Sequence, residues 1–92
     1  MSIIVNKIRN AMRDAGKSLI YNNKRQGYRS IKCYSSGSNA GDVELIRTLE
    51  KILKNAGHTR SVVQVNRKFF AHYDSIVVRL HPNNHNDTNW EA

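Results

Sequence analysis

Apolar residues recur in two helical and four extended patterns along this chain, and the patterns order its elements. Ile4, Ile8, Ala11, Met12 and Ala15 fall at helical spacing, which predicts a helix over Ser2 to Ala15 with one apolar stripe. Gly16 is placed to end it. Lys17 to Tyr21 and Tyr28 to Ser35 then read as two strands. The intervening NNKRQG is a polar turn in which Asn and Gly tolerate positive φ. The segment SSGSNAGD, Ser35 to Asp42, reads as a surface loop.

A second helix follows, capped by Asp42, favoured at its start by Glu44 and ended by Gly57. Leu45, Ile46, Leu49, Ile52, Leu53 and Ala56 form its apolar face, and Glu50 precedes Lys54 by four residues. Arg60 to Phe69 and Ser75 to Leu80 alternate as strands, with Val63, Val65 and Phe69 in the first and Ile76, Val78 and Leu80 in the second. AHYD supplies the turn between them, and Pro82 closes the last strand. The order αββαββ predicts an α+β fold: an antiparallel four-stranded sheet with two helices packed on one face. The other face is left available, carrying the alternate residue of each strand. Residues 1–82 are expected to form a single domain, and 83–92 a polar tail that is flexible except where Trp90 docks.

Composition sharpens the functional picture. The 92 residues bound the chain to one domain with a thin core, which disfavours a deep interdomain cleft. Fifteen Lys and Arg against seven Asp and Glu give a net charge of +8, which points to an anionic partner. The excess is uneven. Residues 1–41 hold eight bases (Lys7, Arg9, Arg13, Lys17, Lys24, Arg25, Arg29, Lys32) and one acid, Asp14. The remainder is nearly balanced, with seven bases and six acids. A face that is merely solvated usually mixes signs, so the first helix and first hairpin form the candidate binding surface.

Tyr21, Tyr28 and Tyr34 interleave with those cations. Cations hold phosphates and aromatic faces stack on bases, which is what single-stranded nucleic acid requires. The candidate partner-binding residues are therefore Lys7, Arg9, Arg13, Lys17, Tyr21, Lys24, Arg25, Tyr28, Arg29 and Lys32. Each tyrosine has a plainer alternative role as cover for the sheet core with its hydroxyl at the rim. Lys24 and Arg25, placed at the hairpin tip, have no such structural role.

Catalytic constellations are not evident. The acids are scattered, and SSGSNAG lacks the Gly-Lys-Ser/Thr of a phosphate loop. His81 and His85 are four apart, but Pro82 and neighbouring asparagines oppose the helix that would align them on a metal. No cofactor, metal site or small-molecule substrate is expected. One enzymatic alternative stays open: a small basic toxin-type ribonuclease working without metal through His72, Tyr73 and Arg67 or Lys68. The lone Cys33 has no internal disulfide partner, the start lacks a signal-peptide pattern, and no apolar run is long enough to span a bilayer. A cytoplasmic location is the expectation.

Across its length, in stretches such as IIVNKIRNAMRDAGKSLIYNNKRQGYRS and DVELIRTLEKILKNAGHTRSVVQVNRKFF, the chain resembles the small phage-encoded anti-CRISPR proteins that inhibit the type I-F (Csy, or Cascade) surveillance complex. These inhibitors share no common fold or signature, so the resemblance assigns no residue a role. It implies a non-enzymatic inhibitor in the host bacterial cytoplasm. Its partners would be the complex's subunits and guide RNA, and its effect a block on recognition of target DNA. Some inhibitors of this kind are acidic DNA mimics. A +8 chain would instead be expected to meet the guide RNA backbone or acidic patches, covering bases that must stay free to pair. A plain phage nucleic-acid-binding protein is the further alternative.

Overall fold

The computed structural model describes residues 3–34, 39–67, 74–84 and 90, although the side chains of 39–41, 66, 67 and 74 are outside that description. The elements run α1 (Ile3–Asp14), β1 (Leu19–Arg25), β2 (Tyr28–Tyr34), α2 (Asn39–Asn55), β3 (Val62–Arg67) and β4 (Asp74–Leu80). This is the αββαββ order and α+β fold that the apolar pattern predicts. All neighbouring strands are antiparallel, in the order β1-β2-β4-β3. The last hairpin therefore inserts β4 in the middle and leaves β3 and β1 as edges. No described helix is long and apolar enough to cross a membrane.

Both helices lie over one face. Ile4, Val5, Ile8 and Met12 of α1 and Leu45, Leu49 and Leu53 of α2 meet Ile31 and Cys33 of β2 and Ile76, Val78 and Leu80 of β4 in one buried cluster. Val5 is buried in addition to the predicted stripe, and Ala15 is not. The helix ends at Asp14 and leaves Ala15 exposed in the following turn. Gly16, at φ 74°, allows the turn to close: its N–H donates to the Arg13 carbonyl (2.8 Å) and that of Lys17 to the Met12 carbonyl (3.0 Å). This paired termination satisfies carbonyls that the helix end would otherwise leave open. The same pairing ends α2, from Gly57 to Lys54 and from His58 to Leu53.

Several boundaries differ from the sequence reading. β1 starts at Leu19 and runs to Arg25, so most of NNKRQG is strand and only Gln26 and Gly27 turn. Asn22, Asn23 and Lys24 have poor strand propensity, but each pairs in register across β2, and pairing outweighs propensity here. α2 begins at Asn39, inside the expected loop. Asp42 is thus a buried first-turn residue rather than the cap, and its carboxylate meets Lys17 at 3.3 Å. β3 begins at Val62 rather than Arg60. Phe69 and the AHYD turn, apart from Asp74, lie outside the described residues.

Beyond Pro82, Asn83 and Trp90 tie the chain to the rest of the fold. Asn83 accepts from the Thr59 N–H (2.9 Å) and hydroxyl (3.1 Å), and its amide donates to the Gly57 carbonyl (2.7 Å). Trp90 packs against the helix–sheet core. The expected flexibility of the rest of the tail, 85–89 and 91–92, falls outside the described residues.

Candidate nucleic-acid interface

Residues opposite one another in an antiparallel sheet share a face, so the register sorts the paired strand residues. Toward the helices stand Asn22, Ile31, Val78 and Val63 in one row, Cys33, Ile76 and Val65 in a second, and Lys24, Arg29 and Leu80 in a third. Away from the helices the rows are Tyr34 and Ser75; Tyr21, Lys32, Val77 and Gln64; Asn23, Ser30, Arg79 and Val62; and Arg25 beside Tyr28. Tyr28 carries that last row on to His81, whose ring stacks on it at 5.3 Å between centroids. Val77 is buried but stands outside the helix-side cluster, as a residue of the second face should.

This helix-free face brings three tyrosines together with Arg25, Lys32 and Arg79. Tyr34, Arg25 and Arg79 are exposed, and Tyr21, Tyr28 and Lys32 half-buried. The Lys32 ammonium lies 5.7 Å from the Tyr21 ring centroid, within cation–π range. The Tyr21 hydroxyl accepts from Ser30 at 3.5 Å, which holds the ring at the sheet surface. The described acidic side chains, Asp14, Asp42, Glu44 and Glu50, all belong to the helix layer. The described open face is therefore aromatic and cationic, with no carboxylate on it.

The ten candidate residues do not form one surface. Tyr21, Arg25, Tyr28 and Lys32 share the open face. Lys24 and Arg29 point to the helix side: the Lys24 ammonium lies 6.0 Å from the Trp90 ring, and Arg29 donates to Asn22 at 2.8 Å. Lys24 and Arg25 adjoin the two-residue turn at the hairpin tip, but they are strand residues rather than turn residues, and adjacent strand residues face opposite ways. Lys7, Arg9 and Arg13 are exposed on α1, across the molecule from the open face. Lys17 is not a surface cation. Its side chain is 7% exposed and paired with Asp42, because the turn at Gly16 directs it under the first turn of α2.

Arg79 and His81 are the additions that sequence reasoning missed. Their half of the chain carries little net charge, yet the alternation Ile76, Val78, Leu80 already put Arg79 on the opposite face. Burial, with the positive fields of Arg60 and Arg79 behind it, lowers the pKa of His81, so the ring stays neutral on Tyr28 to lower pH than an ordinary histidine. Burial also pushes the Cys33 thiol up to about 11, against a smaller downward pull from Lys17. Cys33 is thus an inert core residue at neutral pH.

Among the described residues no three His, Cys, Asp or Glu side chains gather as a ligand set. His72, Tyr73, Lys68 and His85 lie outside the described residues, as does the side chain of Arg67. In comparisons with protein families, curated proteins and solved structures, the chain matches none.

Proposed function

We propose that this protein is a non-catalytic binder of single-stranded RNA, and that it inhibits a type I-F CRISPR surveillance complex by covering its guide RNA. The open sheet face supports the first part: Tyr21, Tyr28 and Tyr34 stand among Arg25, Lys32 and Arg79, with no described carboxylate beside them. Stacking on tyrosine is tolerant of base identity and contributes about 1–3 kcal/mol per base, while arginine and lysine neutralise the phosphates between. A guide strand whose bases are presented for pairing offers both features to such a face. The identity of the target rests on the family resemblance and on charge, since a +8 chain is repelled by the basic groove that acidic DNA mimics fill.

The test uses purified type I-F complex, labelled target DNA and a gel shift, with the free guide RNA assayed in parallel. The wild-type protein should prevent target binding and leave the RNA uncut. Arg25→Glu with Lys32→Glu should lower inhibition by more than about tenfold, because reversed charges add repulsion. Lys24→Glu, on the helix side, should change it far less. Equal inhibition by the double variant removes the open face from the interface. Tight binding to free RNA without inhibition of the complex makes the protein a plain RNA binder, and cleaved RNA makes it a ribonuclease.

A further inference from the structure

We infer that the groove between α1 and the chain entering β1 is a second phosphate-binding site, which continues an RNA strand from the open face around the β1 edge. This rests on the open-face reading and extends its ligand beyond the sheet. The groove encloses about 380 Å³ and is lined by Asn6, Arg9, Asn10 and Arg13 from α1 with Lys17 and Leu19 from the segment that becomes β1. It contains no carboxylate among its lining residues. The neighbouring groove between α1 and α2, about 580 Å³, differs in kind: Lys7 there stands with Asp14 and Glu44, so its signs cancel.

Helical spacing builds the site. Arg9 and Arg13 are four residues apart and so are Asn6 and Asn10, so each pair lies along one side of α1, its members about 6 Å apart along the axis. Two guanidinium forks in a row can take successive phosphates, with the amides as neutral donors beside them. Arg13 has Asp14 at 3.8 Å, but both side chains are 75% exposed, and such a pair is weak enough for a phosphate to displace. Lys17 keeps its bond to Asp42 and closes the inner end of the groove.

Topology supplies the path. β1 is an edge strand, so no other strand lies between the groove and the open face. Leu19 lines the groove and Tyr21, two residues on, stands on the open face opposite Lys32. The register slips between Leu19 and Tyr21, placing a bulge at Ile20. A bulge bends and twists an edge, and it also leaves this edge poorly suited to pairing with another strand. A nucleic-acid strand running between the two sets of cations crosses Leu19 and Ile20, both exposed.

Fluorescence anisotropy with labelled oligouridines of about 4 and about 12 nucleotides, which span the usual site size of one small domain, separates the two surfaces. Arg9→Ala with Arg13→Ala should bind the short oligonucleotide within about twofold of wild type. For the longer one it should lose roughly tenfold in affinity, and the slope of log K against log salt should fall by about 1.4, or about 0.7 for each lost contact. Unchanged affinity for the longer oligonucleotide overturns the second site. So does an equal loss for both lengths, which would put the two arginines in the primary track or in the fold. If wild-type protein binds neither length, the open-face reading fails first, and this inference with it.

Discussion

Removing either partner of the Lys17–Asp42 pair should cost this protein a large part of its stability. The two side chains are 7% and 10% exposed and meet at 3.3 Å. They join the turn after α1 to the first turn of α2, beside the apolar cluster that the two helices share. Lys17→Met leaves a buried carboxylate without the Lys17 cation, and Asp42→Leu leaves a buried ammonium without the Asp42 anion. Removing one member of such a pair typically costs about 3–5 kcal/mol, most of it the penalty of the stranded charge. A chain of 92 residues has about 5–14 kcal/mol in total at the usual stability per residue. At about 4–8 °C per kcal/mol for a domain of this size, each single variant should melt more than about 12 °C below wild type. Lys17→Met with Asp42→Leu should recover most of the loss, because it strands no charge. The assay is urea unfolding by circular dichroism, arranged as a double-mutant cycle. A coupling energy under about 1 kcal/mol is the signature of a surface pair and would refute the argument. A second readout separates scaffold from site: the Lys17 ammonium is already bonded to Asp42, so folded Lys17→Met/Asp42→Leu protein should keep the wild-type salt slope for RNA.

Further predictions concern α2 and Cys33. Leu49, fully buried where α2 crosses the sheet, should cost about 2–5 kcal/mol on Leu49→Ala through lost burial and a residual cavity. Lys51→Ala and Lys54→Ala, both exposed, should melt and inhibit like wild type, and normal melting with lost inhibition would bring α2 into the interface. For Cys33 the folded thiol titrates near 11 against an ordinary 9.0, so the unfolded chain loses its proton first. The thiol's contribution is complete below pH 9 and is lost as pH rises from 9 to 11, by up to about 3 kcal/mol. Wild type should therefore lose more stability over that window than Cys33→Ala, and equal losses would show that the thiol is not held in the core.

The element order needed nothing beyond the sequence. Helical spacing in Ile4, Ile8 and Met12 and in Leu45, Leu49 and Leu53, and alternation in Ile76, Val78 and Leu80, are local signals of one buried side, and burial is what the fold requires of them. The concentration of cations and tyrosines in the first half was equally legible. What the sequence could not supply was which of these residues face together. Facing in a strand has a period of two, so a misplaced boundary or an unseen bulge changes the face of every residue beyond it. Reading Lys24 and Arg25 as a turn put both at a tip, whereas the extension of β1 sends Arg25 to the open face and Lys24 to the helix side. Arg79 joined the site only because β4 pairs with β2, a contact between residues far apart in the chain. Lys17 left it because the turn at Gly16 and the first turn of α2 together bury its charge on Asp42. Local pattern decides which residues a protein buries. Long-range pairing decides which of the remainder become neighbours, and that neighbourhood makes the candidate binding face.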